Sequence, residues 1–383
     1  NLHKRIALNI ISFVGTDKSS MVLGFMIATA FLSAFLSNTS TSIMMLPIGI
    51  AIISQVSSSK KNKESNFGKV LMLGIAYSAS IGGFSTLYGT PPNLILKSNI
   101  QQFFNYTLDF DYWFMMALPL SILLLFICWY YLVNFTFTLS KNENISRDQI
   151  RVKLNSLGKI KYEEVVVLLI FIGFVFSLLL KSKLQLIFNS IDDTIIAIFF
   201  AILLFILNTQ NRNHKILNWK DSHKIPWDII LLFGGGLSLA AAMQGSGLTL
   251  WIGEKLLGLN NISLILIILI IVFSVNFLTE ITSNLATVSM ILPVLASLSI
   301  SLGLHPFVIM VSATIAASCA FMLPVATPPN AVVFGSGFLK IKDMVKTGIV
   351  MNLISIILVS LYVYYIIPII WDIDLTVFPE GFK

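Results

Sequence analysis

Long apolar runs separated by short basic stretches set the pattern of the chain, and four of those runs are interrupted by polar, helix-breaking residues. The apolar stretch 20–56 is broken near its middle by Ser37-Asn38-Thr39-Ser40-Thr41, so each flank falls short of the ~20 residues a spanning helix needs. The stretch 262–302 is broken in the same way at Thr282-Ser283-Asn284. Two more breaks stand at Gly89-Thr90-Pro91-Pro92-Asn93 and Ala326-Thr327-Pro328-Pro329-Asn330, where proline suits the first turn of a new helix. The pattern predicts crossing helices from Lys69 to the first Pro-Pro break and over 111–137, 164–180, 192–208, 227–247, 306–323 and 348–371. Residues 1–15 mix His3, Lys4 and Arg5 with apolar residues, which fits an arm helix lying on a membrane surface. The segment LTLWIGEKLLGL (248–259) resembles that arm.

The interruptions are written twice. Both copies keep Ser-Asn (Ser37-Asn38, Ser283-Asn284), a Thr three residues after the Asn (Thr41, Thr287) and Leu-Pro ending nine residues after it (Pro47, Pro293). Each copy is followed by Thr-Pro-Pro-Asn. Two motifs in the same order make an internal repeat. In a membrane protein, paired interrupted segments point to a transporter's binding site.

Composition fixes the setting. The chain is 56% hydrophobic and 11% charged over 383 residues, too little polar surface for a soluble protein of that size. Its net charge of +7 comes from clusters between apolar runs, which read as topology signals rather than as a nucleic-acid surface. Cytoplasmic placement of Lys60, Lys61, Lys63 and Lys69, of Arg147, Arg151 and Lys159, of Arg212, Lys215, Lys220 and Lys224, and of Lys340, Lys342 and Lys346 is self-consistent. It sends the first interrupted segment in from the cytoplasmic side and the second, flanked by little charge beyond Glu254 and Lys255, in from the outside. The expected fold is therefore an all-α polytopic membrane protein with inverted repeats, two re-entrant helical hairpins and two broken transmembrane helices. The first repeat covers 1–137, a cytoplasmic linker 138–163, and the second repeat 164–383. The chain opens at Asn1 inside the arm segment and is read as the N-terminally truncated remainder of a longer protein. Cys128 and Cys319 lie in apolar runs and read as small buried hydrophobes.

Non-helical backbone at membrane depth is tolerated only where it is buried in protein or lines a cavity. At each expected break, 37–41, 89–92, 283–287 and 326–329, one half-helix ends on exposed carbonyls and another begins on exposed N–H groups. Carbonyl, Ser, Thr and Asn oxygens suit a hard cation such as Na⁺. The helix starts after Asn38, Pro91, Asn284 and Pro328 suit an anion. No Arg or Lys stands at that depth, so a divalent anion would depend on bound cations for its charge balance, which gives coupling a physical origin. Glu280, three residues before Ser283, is an intramembrane acid with two readings, a functional carboxylate or a tie for the turn. His305 reads as interfacial.

SNTSTSIMMLPI, GTPPN, TEITSN and VATPPNAVVFGSG resemble the divalent anion/sodium symporter (DASS, INDY-like) family of carboxylate transporters, over essentially the whole chain. The resemblance implies an elevator-type transporter of the cell (inner) membrane, with a mobile transport domain moving against the scaffold of a homodimer in the lipid bilayer. Its substrates would be di- or tricarboxylate anions, or sulfate, co-transported with Na⁺. Carried over, one Na⁺ site would use Ser33, Ser37, Asn38 and Gly89. A second would use Thr282, Asn284 and Ala326, the first and last through backbone oxygens. The substrate would meet Asn38, Thr39, Thr90, Ser283, Asn284 and Thr327. The chain departs from the pattern at Leu285, where the first copy has Thr39. Leu285 would either shape the pocket or point into the protein.

The function that follows is sodium-coupled symport of divalent anions, C4-dicarboxylates such as succinate (or citrate) first. A sodium-independent dicarboxylate exchanger or a sulfate transporter on the same fold is the alternative, because hairpin tips alone do not reveal ion coupling. A sodium/proton antiporter would need a mid-depth carboxylate, for which Glu280 is the candidate. A membrane-embedded enzyme would need a nucleophile with its base, or a metal cluster. The four histidines, His3, His214, His223 and His305, fall outside the spans or at their ends.

Overall fold

The computed structural model describes residues 2–15, 17–56, 66–137, 154–188, 190–210, 214–225, 227–248 and 262–382, together with positions 139, 152 and 251. Most of the expected linker, most of the second arm segment (248–259), and Lys60, Lys61, Lys63 and Arg212 lie outside the described residues. Among those described, every named element is helical. In chain order they are α1 (Leu2–Val14), α2 (Lys18–Ser33), α3 (Asn38–Val56), α4 (Asn66–Phe84), α5 (Pro91–Phe104) and α6 (Phe110–Tyr131, continued as a π-helical turn over Leu132–Thr136). There follow α7 (Tyr162–Leu179), α8 (Lys181–Gln185), α9 (Asp193–Ile206), α10 (Trp227–Gly245), α11 (Leu264–Ile281) and α12 (Asn284–Leu302). The last four are α13 (Pro306–Ser318), α14 (Pro328–Phe334), α15 (Ile341–Tyr365) and α16 (Ile367–Trp371). Six of the described helices are long and apolar enough to cross a membrane: α4, α6 with its π turn, α7, α11, α12 and α15. The chain is a multi-pass membrane protein.

The helix starts follow from local chemistry. Ser283 caps α12 by accepting from the Ala286 N–H, and Thr327 caps α14 by accepting from that of Asn330. Pro91 and Pro328 occupy first helical positions, where no intrahelical N–H bond is lost. The expected breaks are thereby corrected in position. The non-helical residues are 34–37, 85–90, 282–283 and 319–327, each set lying toward the N-terminal side of its motif. Capping residues open the next helix, so the segment they end must precede them. Both α11 and α12, with 18 and 19 residues, reach about 27 to 29 Å at 1.5 Å per residue, nearly a full bilayer core.

Packing interlocks the two halves. Helix α4, buried along almost its whole length, runs against α2, α3 and α6 and also receives α13 and α14. In return α5 packs on α12 and α13, and α14 on α3. Close approach depends on glycine at two places: a Cβ on Gly82 would stand 2.3 Å from the Ala30 carbonyl oxygen, and one on Gly348 2.2 Å from that of Phe321. Helices α7 and α9 pair with each other and turn Leu169, Phe176, Phe199 and Ile202 outward, as lipid-facing helices do. Cys128 and Cys319 are buried free thiols.

Two polar side chains at helix ends are buried in the protein. The Arg5 side chain is buried, and its guanidinium donates to the Leu157, Gly158 and Lys159 carbonyls and to Glu164 at 2.8–3.0 Å, fastening α1 to the start of α7. His305 is buried at the head of α13 against Phe307 and Phe382, and Phe307 in turn meets Trp371. Burial holds its imidazole down at about 4, and neutral Nδ1 accepts from the Phe307 N–H.

Candidate functional site

Each interrupted helix pair meets the helix that leads into the break of its own half through the same arrangement. In the first half the Ser33 hydroxyl, at the end of α2, lies 2.8 Å from Oδ1 of Asn38 and 2.7 Å from the Ala79 carbonyl oxygen. In the second, the Thr279 hydroxyl lies 2.7 Å from Oδ1 of Asn284 and 3.2 Å from the Ala317 carbonyl oxygen. One hydroxyl proton serves two acceptors in each place, so both clusters carry more oxygen lone pairs than protons. Such an excess suits a small hard cation.

Around the first cluster the backbone is unusually close. A Cβ on Gly83 would fall 2.2 Å from Oδ1 of Asn38, and one on Gly89 would fall 2.3 Å from the Gly83 oxygen and 2.8 Å from that of Ala34. Only glycine leaves room for these oxygens at both positions. The Thr86 hydroxyl donates to the Ala34 carbonyl and ties the tip of the first pair to the first break. Asn93 and Asn330, the last residues of the two Thr-Pro-Pro-Asn motifs, clamp the breaks. The Asn93 amide donates to Phe84 and Thr86 carbonyls at 3.3 and 2.8 Å. That of Asn330 donates to Ala320 and Leu323 at 3.2 and 3.0 Å.

The second break has an additional anchor. Glu280, 2% exposed, accepts from the backbone N–H groups of Phe321, Met322 and Leu323 and from the Asn352 amide, all within 3.0 Å. The carboxylate therefore fastens the break of α13–α14 rather than the tip beside it. Tyr77 of α4 adds a bond to the Phe321 carbonyl at 2.8 Å, joining the halves.

Not every expected site residue joins these clusters. The Ser37 side chain is exposed and bonds Ser40, not Asn38. The Thr282 hydroxyl pairs with Thr287 at 2.5 Å and with the Leu278 carbonyl, leaving only its backbone oxygen for the expected role, and the side chain that matches Ser33 is Thr279. Thr279 stands five residues before Asn284, as Ser33 does before Asn38, and that shared spacing is the signal that could have found it. Thr90 and Thr327 hold matching extended backbone at the heads of α5 and α14, yet Thr90 makes no capping bond and Thr327 does. Gly89 and Ala326 lie buried immediately before them.

Residues 1–371 match the family described as the sodium:sulfate symporter transmembrane region. The chain belongs to that family. It is similar to the sodium-dependent dicarboxylate transporter SdcS of Staphylococcus saprophyticus, 44% identical over 387 residues that cover 98% of this chain and 75% of the relative. The SdcS protein of Staphylococcus aureus strain USA300 is 46% identical over 390 residues, covering 98% and 74%. A solved structure, Neisseria gonorrhoeae MtrF, described as illuminating a class of antimetabolite efflux pumps, aligns with a TM-score of 0.53 at 12% identity, over 95% of this chain and 81% of that one. At that identity the likeness concerns the fold alone.

For this member of the symporter family, Leu285 is the position where the two tips differ most. Thr39 is half-buried, whereas Leu285 is 8% exposed and belongs to the apolar core. Leu285→Thr places a hydroxyl in that core at a cost of about 1–3 kcal/mol. The expected result is a lower melting temperature with the succinate-to-citrate ranking of apparent affinities intact. A reversed ranking at unchanged stability would put the side chain in contact with the anion.

Proposed function

We propose that the chain is a sodium-coupled symporter of C4-dicarboxylates such as succinate, acting in the bacterial inner membrane. The observation that carries this reading is the pair of oxygen-rich clusters, Ser33–Asn38–Ala79 and Thr279–Asn284–Ala317, each beside the start of a long helix. The clusters suit Na⁺, with Gly89, Gly83 and Ala34 oxygens adjoining the first, and Thr282 and Ala326 on neighbouring backbone of the second. The N-termini of α3, α5 and α12 suit carboxylate groups, with Asn38, Thr39, Thr90, Ser283, Asn284 and Thr327 as ligands. Bound cations then supply the positive charge that no Lys or Arg of these clusters provides, so anion and cation bind together or weakly. The names of the staphylococcal relatives agree with sodium and dicarboxylate as the transported pair.

In this reading α2–α3 and α11–α12 are re-entrant hairpins of two inverted repeats, entering from opposite faces. The hairpins and broken helices form one body that moves elevator-fashion against a scaffold in a homodimer. The antiporter reading is disfavoured because Glu280 is committed to four N–H donors.

Proteoliposomes loaded with the complete protein should take up labelled succinate in external Na⁺ and lose at least ten-fold of that rate when choline replaces it, roughly the effect of removing 1.4 kcal/mol of coupling. Uptake that is indifferent to Na⁺ but stimulated by internal dicarboxylate would establish exchange instead. Parallel uptake of citrate and sulfate ranks the anions.

A further inference from the structure

The two breaks are fastened differently at one equivalent position. Tyr88 stands two residues before Thr90, and its counterpart two residues before Thr327 is Val325, which is 74% exposed. The Tyr88 hydroxyl instead donates to Oδ2 of Asp193 at 2.6 Å, a carboxylate on the first turn of α9, remote in sequence from either motif. Lys97 of α5 reaches the same oxygen at 2.6 Å and the Tyr88 hydroxyl at 3.3 Å. Lys181 of α8 stands 3.1 Å from Oδ1 of Asp193 as an ion pair and donates to Asp109 at 2.5 Å. Burial alone would push the Lys181 ammonium down, but the bond to Asp109 and the charge of Asp193 outweigh it and hold it above the usual lysine range. The Tyr88 ring stacks on Phe110, 5.8 Å between centroids, which fixes the direction of its hydroxyl.

Two lysines and two aspartates thus form a charge-balanced cluster between the α8–α9 segment and the residues leading into Thr90. A carboxylate with two cationic partners has no electrostatic need of a phenol, yet its oxygen accepts the hydroxyl of the residue beside Gly89-Thr90. The Thr90 side chain itself makes no capping bond. Its place is therefore set by its backbone, which Thr86 and Asn93 hold on one side and the Tyr88 hydroxyl on the other.

We propose that Asp193 is a positioning residue for the anion site: by gripping the Tyr88 hydroxyl it fixes the Tyr88-Gly89-Thr90 turn and sets where Thr90 meets the substrate. Lys97 and Lys181 hold the Asp193 carboxylate in place for that bond. The proposal rests on the reading of Thr90 as an anion ligand. It makes the affinity of the first half of the site depend on a helix pair remote in sequence from both copies of the motif, and among the described residues the equivalent position of the second half, exposed Val325, has no such bond.

Tyr88→Phe removes the hydroxyl and leaves the three ion pairs to Asp193 and Asp109 in place. In reconstituted protein it should raise the apparent KM for succinate about five- to ten-fold (about 1–1.4 kcal/mol) with the melting temperature little changed. Asp193→Asn should raise KM similarly, and the double variant no further than the larger single one, because both act through one bond. A substrate-free measurement runs beside it: Thr90→Cys, at a position 3% exposed, should label slowly with maleimide and several-fold faster when Tyr88→Phe is added. The native thiols are buried and give little background. An unchanged KM in Tyr88→Phe, or additive effects in the double variant, would overturn the proposal, since a mere brace between helices lowers stability and leaves affinity alone. Unchanged labelling would overturn it as well. Faster labelling on adding Tyr88→Phe to Thr90→Cys, with no succinate uptake by the wild-type protein, would keep the turn's anchor and reject the dicarboxylate reading.

Discussion

Glu280→Ala should leave little folded protein in the membrane. The substitution strips an acceptor from three consecutive buried or half-buried backbone N–H groups, those of Phe321, Met322 and Leu323, and from the Asn352 amide. Asn352 offers Phe321 a second acceptor at 3.2 Å, but Met322 and Leu323 are left with neither helix nor side-chain partner. At ~1–3 kcal/mol for each unsatisfied buried donor, the loss is on the order of 5 kcal/mol, comparable with the whole stability of many proteins. Glu280→Gln keeps one oxygen but turns an amide toward N–H donors, so it should fold with a clearly lower melting temperature. Monodispersity after detergent extraction and thermal unfolding of the purified variants measure both. A Glu280→Gln protein as stable as wild type, with uptake that has lost its pH dependence, would assign the carboxylate to proton coupling.

The largest functional loss is expected at the two motif asparagines. In Asn38→Asp and Asn284→Asp the Ser33 and Thr279 hydroxyls still find a carboxylate oxygen, so the tips keep their shape. In the proposed site each variant adds a negative charge beside the bound anion. Two like charges about 4 Å apart at an effective dielectric near 20 repel by ~4 kcal/mol. Succinate affinity should therefore fall by roughly a thousand-fold, with apparent Na⁺ affinity moving the opposite way. Equilibrium binding on purified protein separates the two ligands, and normal succinate binding in either variant would place that asparagine outside the anion site.

Where helices begin was legible because the signals are local. Ser before Asn, and Thr before Pro-Pro, each name a cap and a first turn within a few residues, and α5, α12 and α14 start there. The position of the breaks was displaced for the same reason, since a capping motif marks the residue after an interruption. Tertiary closeness was not legible. That Gly83 gives Asn38 its room, or that Glu280 reaches across to 321–323, depends on helix crossings no short window contains. Repeat symmetry was a partial substitute. Thr282 comes from the family resemblance as a backbone ligand, whereas extending the repeat back to Ser33 leads to Thr279, whose hydroxyl bonds Asn284 as that of Ser33 bonds Asn38. Leu285 was open in sequence because an apolar residue on a polar tip can face either way, and core packing decided it. Arg5 reads in the sequence as part of an arm on the membrane surface, and its carbonyl partners lie in the segment read as a linker between the halves.

The grip of Arg5 also sets a clock on assembly. Among the described residues its guanidinium donates to carbonyls 157–159 and to Glu164, which is 159 residues further along the chain. At ~5–20 residues per second of synthesis, those groups leave the ribosome about 10 to 30 s after Arg5 itself. Throughout that interval α1 holds a cation with no acceptor to bury it against, so water or lipid headgroups must solvate it and α1 cannot dock in its final place on α2. The first interrupted pair is thus threaded before it is fastened, and the Arg5 side chain waits for α7 to arrive.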